Sequence, residues 1–455
     1  MGYEFDVLII GGGGSAGFTA ATTALKSGAK VGMVEGGRLG GLCILAGCMP
    51  SKTLLHSAAE LKGNPSAARS AYPEVARRTR ALVEMLAGHR VEAVEAKKAQ
   101  GLEVIEGWGK LVGEHEVEVG GRKLSARAIV VATGSRELIP PIEGLAEAGY
   151  LTSGPFMRLE SLPESLVVLG GGTMAVELGQ YAARMGVETT IIQRSPRLLS
   201  KEPEKVGPII ARALAADGAR VLTGTRLRRV VRTSRGVRVE FEKDGTTQEV
   251  QAEALLVALG RVPNTQGLGL KELGVELGPR GGVVVDRFMR SSLPHIFAAG
   301  DVTDTVMVVN LAIEQGRVAG YNATHEQMQP IRDDVLPRAV FTDPQYARVG
   351  MSAEEARAAG IKFVEVSFNL QDLPAARTYP RLPEGYMAMR AEEGSGRIIG
   401  AELVAPEAAL MIHDVAVAMR GAMTAAELAS IPYVHPCLGE IVMLTAHRLA
   451  RRAGR

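Results

Sequence analysis

Cysteine is scarce: three in 455 residues, too few for the disulfide framework that staples small secreted domains. Long apolar runs are missing too. No stretch approaches the ~18 residues of a membrane span, and the opening residues carry Glu4 and Asp6 where a secretory leader would carry positive charge. Asp6 also stands where an N-myristoyl signal after Gly2 would want Ser or Thr. The expectation is therefore a cytoplasmic protein without a lipid anchor. A dominant charge sign is equally absent: formal net charge is +2 with 22% charged residues, leaving no broad field to attract nucleic acid or an anionic membrane. Neither is an expected partner. The length exceeds what one core supports, so two to four domains are anticipated. What the cysteines do supply is a close pair, Cys43 and Cys48, and in a reducing compartment such a pair points to metal or redox chemistry.

The apolar run from Asp6 to Ile10 leads into Gly11 to Gly14, an alanine-rich stretch from Ala16 to Leu25, and a second run from Ala29 to Glu35. This pattern predicts strand, tight turn, helix, strand. A second unit repeats it: Leu166 to Leu169, glycines 170 to 172, a helical stretch from Met174 to Met185, and a strand near Thr189 to Gln193. Runs at 128–134, 254–260 and 295–301 read as returns into these sheets. Beyond Pro337, strand-like runs at 338–341, 363–368, 386–389 and 398–403 precede helical patterns at 407–420 and 424–430, as in an α+β domain. The Ala/Arg/Glu-rich stretch 57–99 reads as a pair of solvated helices.

A glycine-rich turn between strand and helix lets the backbone approach a pyrophosphate, and the helix N-terminus offers free N–H groups. The first turn can be counted as Gly11-x-Gly13-x-x-Ala16 or as Gly12-x-Gly14-x-x-Gly17, with Ser15 between. Glu35, about 20 residues on, can accept ribose hydroxyls. The second turn, Gly170-x-Gly172-x-x-Ala175, is followed by a strand ending in Gln193 and Arg194, with Arg197 nearby. A carboxylate there would repel a 2′-phosphate, whereas a guanidinium pairs with it. NADPH is favoured over NADH.

In a regular helix the five residues from Cys43 to Cys48 advance about 7.5 Å, too far for a disulfide, so a bridge requires a distorted first turn that Gly47 eases. The spacing is poor for a zinc half-site, and no second ligand pair is present, so no metal is expected. The segment Gly40-Gly41-Leu42-Cys43-Ile44-Leu45-Ala46-Gly47-Cys48-Met49-Pro50-Ser51-Lys52 resembles the flavoprotein disulfide reductases, a family that includes dihydrolipoamide dehydrogenase, glutathione reductase and mercuric reductase. Leu42 and Leu45 replace the family's Thr and Asn. Ala132-Thr133-Gly134, Gly260-Arg261-x-Pro263-Asn264, Ala299-Gly300-Asp301, Phe341-Thr342-x-Pro344 and His435-Pro436-x-x-x-Glu440 continue the resemblance along nearly the whole chain.

That resemblance implies an α/β fold with two Rossmann-like dinucleotide-binding domains and a C-terminal α+β dimerisation domain. Residues 1–148 and 262–334 would bind FAD, 149–261 NAD(P), and 335–455 would form the interface of an obligate homodimer. Gly41 and Lys52 would lie against the flavin, with Lys52 paired to Glu177, and Asp301 on the ribityl chain. Cys48 would exchange electrons with the flavin. Cys43 would attack a small disulfide substrate, with His435 of the partner subunit moving the proton and Glu440 orienting it. Thr173 replaces the tyrosine that gates the nicotinamide pocket in glutathione reductase, and Cys437 reads as packing. His435, Glu440 and a C-terminal stretch without a cysteine pair argue against mercury as substrate. Docking into a 2-oxo acid dehydrogenase complex, as dihydrolipoamide dehydrogenase does, is a further expectation, one that would have to use the folded dimer surface.

Overall fold

The computed structural model describes residues 2–381 and 383–453; Met1, Leu382 and the terminal Gly454 and Arg455 of the C-terminal stretch lie outside it. Strand Phe5–Ile10 runs parallel between Val31–Glu35 and Arg122–Val131, with Glu103–Glu106 and Ile296–Ala298 extending the sheet on either side. Val7, Leu8 and Ile9 are fully buried, the continuous apolar run required of a strand covered on both faces. The long strand Arg122–Val131 also starts an antiparallel meander with Glu116–Val119 and Gly109–Gly113.

Helices Ser15–Lys26 and Val309–Asn322 cross on one face of this sheet at backbone contact. A Cβ added to Gly316 would stand 2.2 Å from the Ala16 carbonyl oxygen, and one on Gly320 would stand 2.3 Å from that of Ala20. This contact brings the Gly300–Asp301 corner next to the first glycine-rich turn.

The second unit is a parallel sheet in the order Arg220–Leu222, Glu188–Ile192, Ser165–Leu169, Ala254–Val257. A three-stranded antiparallel sheet, Arg226–Thr233, Gly236–Lys243 and Thr246–Ala252, shares its core through Val230, Val239 and Phe241. Sequence periodicity had left that layer unassigned. Between the two units the chain crosses twice, and the crossings pair as short antiparallel strands, Ser135–Glu137 with Arg261–Pro263. The C-terminal part is a five-stranded antiparallel sheet packed under helices Ala408–Arg420 and Glu440–Ala453. Of these elements, strand Gln345–Gly350 and the last helix were not read from the sequence.

One expectation is corrected. Residues 57–99 do not form two solvated helices: helix Cys48–Glu60 ends, and a single 34-residue helix runs from Pro65 to Lys98. Asn64 caps it by accepting from the Ala67 N–H, with proline in the first turn where no N–H is needed. Nor is it wholly solvated. Ala68, Tyr72, Val75, Ala76 and Thr79 form a buried stripe, and the Tyr72 hydroxyl donates to the Leu159 carbonyl at 2.7 Å.

No described helix is long and apolar enough to cross a membrane. Because the Gly316 contact leaves no room for a methyl group, Gly316→Ala should destabilise the protein by about 1–3 kcal/mol through overpacking. Urea unfolding of the holoprotein would register this as a lower midpoint at unchanged slope.

Candidate active site

The glycine-rich turn and the cysteine loop are stitched together. Gly40 donates its N–H to the Gly13 carbonyl at 3.1 Å, and a Cβ on Gly41 would fall 2.5 Å from the Gly14 Cα. Only a glycine lets the loop approach this closely. The turn combines both of the counted registers: Gly11 makes the left-handed corner at φ +87°, while Gly14 precedes the helix that begins at Ser15. Gly17 is the close-packed position, where a Cβ would lie 2.3 Å from the Gly11 carbonyl oxygen. Glu35 reaches back to this turn, accepting from the N–H groups of Gly13 at 2.6 Å and Gly37 at 2.8 Å.

Gly47 interrupts the helix between Ala46 and Cys48, at φ −134° and ψ −116°. Two short helical segments result, and Cys43 and Cys48, both free thiols, flank the break closely enough for each to shift the other's ionisation. The two are not equivalent. The hydrogen bond from Cys43, outweighing the cost of burial and aided by the nearby Lys52 charge, lowers Cys48 to about 7. Cys48 also heads helix Cys48–Glu60, where the backbone N–H groups favour negative charge. Cys43, which donates that bond, is pushed well above the usual thiol range by it and by burial. As a dithiol the pair thus holds its negative charge on Cys48.

Lys52, one turn further along, donates to Glu177 at 2.7 Å; Glu177 is 0% exposed and Lys52 24%. The other Glu177 oxygen accepts the Phe341 N–H at 2.9 Å, and the Lys52 ammonium lies 4.4 Å from the Phe341 ring centroid. The cysteine helix, the second dinucleotide unit and the start of the C-terminal domain therefore meet at this pair.

Asp301 follows the Ala299–Gly300 corner and accepts from the Ser135 hydroxyl at 2.7 Å; Arg261 in turn donates to Ser135 through Nε and Nη2. The Gly300 N–H donates to the buried Gln315 side chain at 2.8 Å. Ala132 continues the sheet by donating to Ile10, and Thr133 exchanges hydrogen bonds with Asn264. Ser135 and Gln315 carried no motif in the sequence; the crossing of the two chain segments brings Ser135 here, and the packing of helix Val309–Asn322 brings Gln315. Cβ atoms added at Gly134, Gly172 and Gly260 would meet nothing within 4 Å. The carboxyl ends of both parallel sheets thus open onto space with backbone donors and Glu35 around it, a cradle that fits a dinucleotide at each.

At the second turn, Ala175 is fully buried and Gln193 lies against Gly171. Arg194 is exposed, with no acceptor for its side chain among the described residues. Arg197 differs: its Nη1 donates to the Glu202 carbonyl at 2.6 Å. That bond holds the guanidinium beside Arg194 and leaves its Nε and Nη2 without an acceptor among the described residues.

His435 and Glu440 stand on the C-terminal domain. Imidazole Nδ1 and Glu440 Oε1 are 2.9 Å apart, and the other Glu440 oxygen accepts the Cys437 N–H. The hydrogen bond to His435, then that from Cys437, holds the Glu440 carboxyl below the usual carboxylate range. The His435 side chain is 71% exposed, and on the same domain Leu410, Val417 and Val434 are exposed apolar residues. Among the described residues no group of three or more His, Cys, Asp or Glu side chains forms a metal site.

Residues 5–316 match the family model described as pyridine nucleotide-disulphide oxidoreductase, and residues 336–446 match its dimerisation domain. A mercuric reductase from Bacillus cereus is 35% identical over 94% of this chain and 68% of its own. A dihydrolipoyl dehydrogenase from Thermus scotoductus is 31% identical over 99% and 98%. Among solved structures, the HOCl-induced flavoprotein disulfide reductase RclA from Escherichia coli superposes with a TM-score of 0.85 at 26% identity, covering 97% of this chain and 99% of that one.

The unequal thiols give a direct test. In the reduced protein, iodoacetamide alkylation should rise with pH through about 7 as Cys48 ionises. Removing the hydrogen bond in Cys43→Ala, or the charge in Lys52→Met, should move that midpoint upward.

Proposed function

The chain belongs to the pyridine nucleotide-disulphide oxidoreductases, enzymes that bind FAD, use NAD(P) and act on sulfur groups; from that premise we propose that it reduces a small disulfide through Cys43 and Cys48, with NADPH as the preferred donor. The observation carrying this reading is the hydrogen-bonded thiol pair beside Lys52 at the carboxyl edge of the first sheet. Bound FAD would be the two-electron carrier between the nicotinamide and the cysteine disulfide. The residues that would hold it are the turn from Gly11 to Gly17, Glu35, Gly41, Lys52, Ala132, Thr133, Gly134, Arg261, Gly300 and Asp301. Gly170, Gly172, Ala175, Glu177, Gln193, Arg194, Arg197 and Gly260 would line the nicotinamide side.

With the pair reduced, Cys43 is a poor nucleophile by itself, because its proton is held by Cys48. A base must take that proton, and the exposed His435 of a second subunit, aligned by Glu440, has the chemistry to do so. The Cys43 sulfur then attacks one sulfur of RS–SR, forming the mixed disulfide Cys43–SR and expelling RS⁻, which takes the proton from His435. The Cys48 thiolate attacks the Cys43 sulfur, releases the second RS⁻, which takes a proton from solvent, and restores the Cys43–Cys48 disulfide. Two thiols form for each disulfide consumed. The dimerisation domain and its exposed apolar residues support a homodimer. The His435–Glu440 pair favours an organic disulfide over mercuric ion; if NAD(H) proves the better nicotinamide partner, the lipoamide/dihydrolipoamide couple is the alternative substrate, oxidised as dihydrolipoamide with NAD+ as acceptor, in which case docking to a 2-oxo acid dehydrogenase core follows.

Anaerobic mixing of the yellow protein with NADPH should produce a long-wavelength thiolate-to-flavin band that is absent from Cys48→Ser; full bleaching without it would sink the cysteine relay. His435→Gln should keep that reduction while lowering turnover about 10²–10⁴-fold, the range of a lost acid–base group. Arg194→Ala should weaken NADPH about tenfold or more, as expected for a charge-assisted contact, and leave NADH nearly unchanged. A wild-type enzyme faster with NADH would overturn the donor preference alone.

A further inference from the structure

The loop that carries Arg194 and Arg197 is held in part from outside its own unit. It runs from the end of strand Glu188–Ile192 to the start of helix Val206–Ala216. Its first half is fastened within the second unit: the Gln193 carbonyl accepts the Thr225 hydroxyl at 3.0 Å, and the Ser195 carbonyl accepts the Gly224 N–H at 2.9 Å. Leu199 donates its N–H to the Gly171 carbonyl at 2.7 Å, which lays the loop against the glycine-rich turn. There the Leu199 backbone is left-handed, at φ +47°, a conformation that a leucine keeps only where its surroundings impose it.

The second half of the loop is held by the C-terminal domain. Glu202 accepts the Tyr346 hydroxyl at 2.8 Å, and Arg348 Nη1 stands 3.7 Å from the same carboxylate oxygen. Tyr346 and Arg348 are both buried on strand Gln345–Gly350. Burial, then the negative charge of Glu202, pushes the Tyr346 hydroxyl far above the usual phenol range, so it stays a donor. Glu202 in turn offers its carbonyl to Arg197, whose Nη1 donates at 2.6 Å. A continuous chain of contacts thus runs from Tyr346 through Glu202 to the Arg197 guanidinium. A carboxylate on this loop is a poor choice for holding a phosphate by charge alone; as the link between Tyr346 and Arg197 it has a use.

We propose that Tyr346 and Glu202 are positioning residues for the choice of nucleotide: the tyrosine fixes Glu202, and Glu202 aims Arg197 at the 2′-phosphate of NADPH. This rests on the reading of Arg194 and Arg197 as the phosphate contacts. Both residues act through Arg197, so their effect falls on capture of the phosphorylated nucleotide and leaves the electron-transfer steps unchanged.

The test follows anaerobic reduction of the flavin-loaded enzyme by NADPH and by NADH, with adenosine 2′,5′-bisphosphate and 5′-AMP as competitors. Tyr346→Phe should raise the half-saturating NADPH concentration about three- to tenfold at an unchanged limiting rate, the worth of one hydrogen bond, and leave NADH within about twofold. Inhibition by the bisphosphate should weaken in parallel, and that by 5′-AMP should not. Glu202→Leu should act in the same direction, although loss of a negative charge by itself would favour a phosphate. Glu202→Gln keeps an acceptor for Tyr346 and should bind NADPH at least as well as the wild type. Equal losses for both nucleotides, no loss in Tyr346→Phe, or tighter NADPH binding in Glu202→Leu would overturn the positioning role while leaving the two arginines as phosphate contacts. A wild-type enzyme that binds 5′-AMP as tightly as the bisphosphate would overturn the phosphate reading, and this inference with it.

Discussion

The Lys52–Glu177 ion pair is the constraint on which the arrangement of this molecule turns. Glu177 is wholly enclosed, and both its oxygens are used, one by the Lys52 ammonium and the other by the Phe341 N–H. Removing one partner of such a pair would strand a buried charge, at a cost of about 3–5 kcal/mol. The pair therefore fixes where the cysteine helix sits relative to the second dinucleotide unit and the C-terminal domain. It also keeps a cation close to Cys48, where negative charge must be held. Position and electrostatics come from one contact.

The pair is the first rung of a ladder. Gln180 and Arg184 follow Glu177 on the same helix face, and both bond Asp343, two residues beyond Phe341. Lys62, just past the end of the cysteine helix, reaches Asp343 from the other side. Burial alone would raise the Asp343 carboxyl, but the Lys62 hydrogen bond and the Arg184 charge outweigh it and hold the group below the ordinary carboxylate range. Three parts of the chain, the cysteine helix, the second unit and the C-terminal domain, are thus joined by charge and hydrogen bonds.

Against this fixed frame, the two thiols differ in a useful way. Cys48 bears the charge because it accepts a hydrogen bond, heads a helix and faces Lys52; Cys43 keeps its proton for the same reason in reverse. The group suited to take that proton, His435, lies exposed on the C-terminal domain with Glu440 behind it. Leu410, Val417 and Val434, exposed apolar residues on the same domain, suit the surface that a dimerisation domain covers.

Much of this was legible in the sequence because it depends on local chemistry. Strand, glycine turn and helix declare themselves by periodicity and by the few residues that fit a close backbone approach, so both dinucleotide units and the Cys43–Cys48 loop could be placed from order and spacing. The break at Gly47 was also foreseeable, since a regular helix cannot bring residues five apart together. What tertiary structure alone decided is what depends on distant segments meeting. The antiparallel layer between Arg226 and Ala252 went unread although its middle strand alternates strictly, Val237-Arg238-Val239-Glu240-Phe241-Glu242, with Val237, Val239 and Phe241 buried; its two flanking strands are too rich in polar residues to show the same period. The stretch after Pro65 looked solvated because its narrow buried stripe of Ala68, Tyr72, Val75, Ala76 and Thr79 is interleaved with many Arg and Glu residues. Ser135 acquires its role only where two chain crossings pair, and Gln315 only because helix Val309–Asn322 is packed against the Gly300 corner. Spacing along the chain specifies turns and helices, but the neighbour that gives a charged side chain its function comes from the fold.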